Sequence, residues 1–178
     1  MSSWEGDYII SYLSRLIVPQ TLLERVKSSA INFHPASPDY LGVGCNNFAL
    51  YNEEEFFGVT CHFMLPNVDS GKIIATKKFP IFGTDNVSTL LAKTYDHQLE
   101  LFYVIMNKIL NGEGLNPSGE KWGRGPYTRK ELNKLPRIMP EMEEHEIKRR
   151  IRATEFGKWK PYLKIGDFIF EYKDEDNE

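Results

Sequence analysis

The residues best suited to chemistry by type and spacing are cationic. Lys148, Arg149, Arg150 and Arg152 run almost together, followed by Lys158, Trp159, Lys160 and Lys164. Cations interleaved with aromatic rings suit a nucleic acid, because charge meets phosphate and rings stack on bases. The same cations also have acidic neighbours. Glu144 and Lys148, and Glu146 and Arg150, stand four apart, the spacing at which side chains meet on a helix. Charge is segregated along the chain: net −4 over residues 1–118, +6 over 119–166 and −5 over 167–178. The acidic end would therefore compete with a polyanion for the basic segment.

A second constellation is carboxylic. Asp39 follows a proline, and Glu171 with Lys173 forms a Glu-x-Lys pair. Such a set resembles the core of metal-dependent nucleases, in which carboxylates hold Mg²⁺ and the lysine orients water. A third group is Cys45, Cys61 and His62. If residues 51–55 close a symmetric hairpin, Cys45 faces Cys61 and His62 points to the other side of the sheet, because strand side chains alternate. That geometry argues against a shared metal site, and no zinc-ligand spacing occurs elsewhere. The glycine-rich stretch Gly119–Gly125 carries Lys121 and Arg124 but lacks the strand and helix of a phosphate cradle, so it reads as part of a mobile loop over residues 112–127. There is no P-loop, dinucleotide fingerprint, CxxC, HExxH or nucleophile elbow. Neither a cofactor-binding set nor a metal set is expected.

The elements that would carry these residues follow from periodicity. Residues 2–28 read as two helical pieces on the spacing of Tyr8, Ile9, Tyr12, Leu13 and Leu16, with Pro19 between them. Strands are predicted near 41–50, 56–64, 72–80 and 167–172. A long helix is predicted over about 85–111, with Val87, Leu91, Tyr95, Leu99, Phe102, Ile105 and Ile109 inward and Gly112 ending it. Thr128 and Glu131 form a possible capping box, and a further helix spans about 140–155. The expected class is α+β, a small mostly antiparallel sheet packed against the long helix. One domain is expected over 1–172, with an acidic, disordered tail over 173–178.

Hydrophobic residues make up 41% of the chain, enough for a real core. No signal peptide is read, and no apolar run approaches the length of a membrane span, so a cytoplasmic, reducing location is expected. No motif identifies a family. In architecture, a strand pair followed by one long helix resembles the matrix proteins of negative-strand RNA viruses, which implies a viral accessory protein. The leading expectation is a non-catalytic interaction or assembly protein, with a protein partner or self-association. The alternatives are an RNA- or DNA-binding protein using the 148–164 segment and a divalent-metal nuclease using Asp39, Glu171 and Lys173.

Overall fold

Two runs rich in β-formers open the chain: β1 (Gly6–Tyr12) and β2 (Val26–His34), joined through the single-turn α1 (Gln20–Leu23). The computed structural model describes residues 4–173. The helical reading of residues 2–28 is thereby corrected. Tyr8, Ile9, Ile10 and Tyr12 favour a pleated surface over a helix, and the strand runs parallel to β2 with Ile10 opposite Ile31 and Tyr12 opposite Phe33. Most of the acidic tail read at 173–178 lies outside the described residues.

The predicted strand over 41–50 is also corrected. Residues Cys45–Tyr51 form helix α2, burying Cys45, Phe48 and Ala49 at helical rather than alternating spacing. Gly44 caps it at φ 71°, a left-handed conformation that costs glycine nothing. No hairpin therefore joins 41–50 to β3 (Phe56–Phe63), and the pairing of Cys45 with Cys61 does not exist. Strand β3 pairs instead with β2, antiparallel, placing His62 opposite Asn32 and Cys61 opposite Phe33. Strand β4 (Ile73–Pro80) completes a mixed sheet of order β1-β2-β3-β4.

Helix α3 (Val87–Leu110) forms close to its predicted bounds. Its start is held by Asn86 and Thr89, each side chain accepting from the other's backbone N–H at 3.0 Å. Its buried face is Val87, Leu90, Thr94, Gln98, Leu101 and Ile105; Val87 and Ile105 are where the predicted stripe put them, whereas Tyr95 and Leu99 are exposed and Leu90, Thr94, Gln98 and Leu101 take the inward positions between. Thr94 and Gln98 are polar yet wholly buried, so the inward face is not a continuous apolar stripe.

The described residues cluster into two compact units. The first holds residues up to Asp39, Gly58–Phe79 and Thr94–Arg124. Its core lies on one face of β2 and β3: Ile31, Phe33, Val59 and Cys61 are almost wholly buried. Full burial of a Phe or Val side chain contributes about 1.5–3 kcal/mol. Tyr12, Phe33 and Phe102 pack ring against ring at 5.3–5.7 Å. Gln98 donates from Nε2 to the Phe33 carbonyl at 2.8 Å, while its Oε1 is buried with no hydrogen-bond partner.

The second unit holds Tyr40–Phe57, Pro80–Lys93 and the chain from Gly125 onward. Phe48 stacks on Tyr127 at 3.7 Å, and Asn47 donates to the Ala153 carbonyl. Helix α4 (Arg129–Lys134) has the predicted capping box between Thr128 and Glu131, and α5 (Glu144–Thr154) forms where a helix was expected. The strand predicted at 167–172 is present as β7 (Phe168–Glu171), but not in the main sheet. It pairs antiparallel with β6 (Tyr162–Ile165), which pairs parallel with β5 (Arg137–Ile138), making a separate three-stranded sheet. Among the described residues no helix is long and apolar enough to cross a membrane.

Candidate active site

Strand alternation assembles the site. Ile31, Phe33 and Cys61 turn to the core, so Asn32, His34 and His62 share the opposite face of β2 and β3. Asn32 and His62 are directly cross-strand, and Asn32 Nδ2 lies 3.1 Å from His62 Nε2. Strand β2 ends at His34 because Pro35 has no N–H to continue the ladder. His34 is 6% exposed and His62 is 2% exposed.

The fourth member, Asp69, comes from the loop between β3 and β4. Its φ of 48° turns the chain left-handed, a conformation that Asp tolerates better than most residues. One carboxylate oxygen lies 3.3 Å from His62 Nε2 and the other 3.6 Å from His34 Nδ1. Burial pushes the Asp69 carboxyl up, but the His62 and His34 imidazoles that stand beside it outweigh that effect. The net result is a pKa below the ordinary carboxylate range.

Several contacts fix this loop. The Phe63 N–H donates to the Lys72 carbonyl at 3.0 Å, and Ser70 Oγ donates to the Asn67 carbonyl at 2.7 Å. Gly71 approaches the strand so closely that a Cβ there would stand 1.7 Å from the Phe63 carbonyl oxygen. Trp122 Nε1 donates to the Gly71 carbonyl at 2.7 Å, and its ring packs nearly perpendicular to those of His62 and His34, with centroids 5.0 and 6.0 Å away. The segment read as mobile is therefore tied down, and Gly123 N–H and Ser118 N–H also donate, to the Pro38 and Ile73 carbonyls.

A pocket of about 330 Å³ opens onto this cluster. Asn32, His34, His62 and Asp69 are among its polar lining, with Ser11, Ser14, Arg15 and Asn67, and Leu16, Ile17, Met64 and Val68 are among its apolar walls. Leu16, Ile17 and Val68 are each more than half exposed, a rim of uncovered apolar surface beside a polar centre. Such a site suits a ligand with a flat apolar body and a reactive polar end. Among the described residues no group of three or more His, Cys, Asp or Glu is arranged to hold a metal ion.

The residues singled out from sequence lie elsewhere. Asp39 is exposed in the loop beyond β2, outside the cluster. Glu171 ends β7 and Lys173 follows it, both exposed in the second unit. The cations of α5 are engaged within their own unit. Lys148 pairs with Glu144. Glu146 accepts from Arg149, Arg150 and Tyr51. Arg150 also donates to the carbonyls of Lys134, Leu135 and Arg137 at 3.0–3.2 Å. Arg152 donates to the carbonyls of Asp85 and Phe82, both at 2.8 Å. Lys160 pairs with Glu155 at 2.7 Å, Trp159 closes a backbone bridge with Phe156, and Lys158 and Lys164 are exposed. Cys45 and Cys61 are both buried and are not joined in a disulfide, and burial pushes the Cys61 thiol up to about 12.

Asn32, His34 and Asp69 were missed. The available signal was Asn-x-His on a strand followed by a histidine on the next one; the pair is co-facial only once β2 is recognised as a strand.

Known proteins resemble this chain. Residues 1–105 match the family described as formyl transferase. A methionyl-tRNA formyltransferase of Levilactobacillus brevis is 30% identical over 142 residues, covering 79% of this chain and 43% of that protein. A GDP-perosamine N-formyltransferase of Brucella melitensis is 27% identical over 171 residues, covering 95% of this chain and 65% of that protein. The crystal structure of an N-formyltransferase from Helicobacter canadensis, in complex with folinic acid and dTDP-3-aminofucose, superposes with a TM-score of 0.70 at 26% identity, covering 89% of this chain and 58% of that one. The chain thus spans less than two thirds of the length of each of these relatives. The family match overturns the expectation of a non-catalytic assembly protein, and with it the nucleic-acid-binding, nuclease and viral readings.

Proposed function

This chain belongs to the formyl transferase family, and we propose that it moves a formyl group from a folate donor to the primary amine of an amino sugar carried on a nucleotide. The observation that carries the reading is the meeting of Asn32, His34 and Asp69 on the wall of an apolar-rimmed pocket. The residues fit such a donor: Leu16, Ile17 and Val68 offer a surface for a flat ring, and the polar cluster stands at its reactive end. A bound formyl folate supplies an activated N-formyl carbon. Support for the acceptor comes from the relative that covers 95% of this chain, a GDP-perosamine N-formyltransferase, and from the Helicobacter structure that holds an amino-sugar nucleotide.

The reaction breaks one carbon–nitrogen bond and forms another. The acceptor amine gains the formyl group and sheds a proton, and the donor nitrogen gains one. Asn32 donates an amide N–H to the formyl oxygen as negative charge grows there. Asp69, ionised at neutral pH, stands beside His34, and the pair takes up the proton that the amine releases. The apolar rim excludes water and so strengthens each of these polar interactions.

The test is formyl transfer by the purified chain from an N-formyl tetrahydrofolate to an amino-sugar nucleotide, with formylmethionyl-tRNA formation as the second arm. We expect the sugar arm to turn over and Asn32→Ala to slow it about 10²–10³-fold, with an unchanged melting temperature. Turnover in the tRNA arm alone would reassign the acceptor. Failure in both arms, with no folinic acid binding by calorimetry, would reject the reading.

A further inference from the structure

His62 is held from three sides. Its Nδ1 lies 2.8 Å from the Phe63 carbonyl oxygen. The Trp122 ring stands nearly perpendicular to it, at 81°, and Trp122 is itself pinned to Gly71. On the third side Nε2 stands between Asn32 Nδ2 at 3.1 Å and Asp69 Oδ1 at 3.3 Å. A carbonyl oxygen only accepts, so Nδ1 carries the hydrogen. A neutral imidazole has one N–H, so Nε2 then presents a lone pair. A lone pair serves an amide N–H; it does not serve a carboxylate, which has no hydrogen to give. Nε2 therefore answers to Asn32 or to Asp69, depending on the proton it carries.

An asparagine amide has two ends of nearly equal size, one that donates and one that accepts. Stabilising charge on a formyl oxygen requires the donating end, and nothing in the shape of Asn32 selects it. We infer that His62, as its Nδ1–H tautomer, is a positioning residue that selects the orientation of the Asn32 amide. It takes one of the two hydrogens on Nδ2 and leaves the second for the substrate oxygen in the pocket that Asn32 lines. The inference rests on the formyl-transfer reading for its consequence, but its geometric half stands without it.

The geometric half is read directly by ¹⁵N NMR of imidazole-labelled protein at the pH of the assay. His62 is expected as a neutral ring protonated on Nδ1. A ring protonated on Nε2, or an imidazolium bound to Asp69, overturns the inference whether or not the protein transfers formyl groups. The functional half is read by kinetics. His62→Phe keeps a ring against Trp122 but offers no lone pair, and is expected to lower kcat about 10- to 100-fold with both KM values and the melting temperature little changed. His62→Gln, whose side-chain carbonyl accepts a hydrogen, should recover part of that loss.

Because His62 acts through Asn32, the double variant Asn32→Ala with His62→Phe should be no slower than Asn32→Ala alone. Losses that add, or a His62→Phe variant as fast as the wild type, overturn the positioning role while leaving the proposed activity intact. If His62→Phe does not fold, the spectrum of the unaltered protein and the His62→Gln kinetics decide the matter. If the unaltered protein shows no transfer at all, the proposed function fails instead, and the spectrum alone rules on the tautomer.

Discussion

Two regions of this molecule use polar residues in opposite ways. Around α5 the charges are taken up locally: Glu146 collects Arg149, Arg150 and Tyr51, and Arg150 and Arg152 donate to backbone carbonyls. On the β2–β3 face, one carboxylate, two imidazoles and an amide are held by each other and by a tryptophan ring, and they line a pocket. The first region is dense in charge and structural in effect. The second is sparse and presents its polar atoms to a ligand. Charge density along a chain therefore locates cations, whereas mutual satisfaction of those cations decides whether any of them is left to act.

The comparison breaks most sharply at Gly71. A Cβ there collides with the Phe63 backbone, so Gly71→Ala should cost roughly 1–3 kcal/mol and displace Asp69 two residues away. A thermal melt should fall by several degrees and turnover should collapse with it. Wild-type kinetics in a folded Gly71→Ala protein would show that the loop does not depend on this close approach. On the other side, Arg150→Ala removes the donor to three carbonyls and should cost about 1–3 kcal/mol while leaving formyl transfer unchanged below the melting point.

The same variant has a signature in acid. Burial pushes Glu146 up, but hydrogen bonds from Arg150, Arg149 and Tyr51 hold it below the usual carboxylate range. A carboxyl depressed in the folded state adds stability above its unfolded pKa, and that stability is lost as pH falls through the folded value. Melting temperature followed downward from neutral pH should therefore drop below about pH 4–5, and Arg150→Ala should flatten that drop. The smallest effect belongs to Lys148. Its pair with Glu144 is exposed, with side chains 72% and 79% accessible, so Lys148→Ala should leave the melt unchanged within error. A large loss there would mean that the α5 surface is not the solvated face it is taken to be.

What was legible in the sequence was local. Helix α3, the Thr128–Glu131 box, α5, β3 and β4 follow from periodicity and capping within a few residues. The alternation that sends His62 away from Cys61 was also readable, and it holds. What was hidden depends on pairing across distance. Asn32 meets His62 thirty residues later, and only the register of β2 on β3 reveals it. Tyr8 to Leu16 satisfies a helical spacing as well as a strand, and only the partner strand decides between them. Asp69 sits in Asn67–Gly71, which has the composition of any surface turn, and its inward aim comes from one positive φ and a tryptophan 53 positions further on.

That tryptophan has a consequence in time. The bond from Trp122 to Gly71 spans 51 residues of chain. At a synthesis rate of about 5–20 residues per second, His62 and Asp69 leave the ribosome roughly 3–12 s before the ring that braces them. Through that interval the nascent β2–β3 face carries two histidines and a carboxylate without their support, exposed to whatever binds unfinished chains.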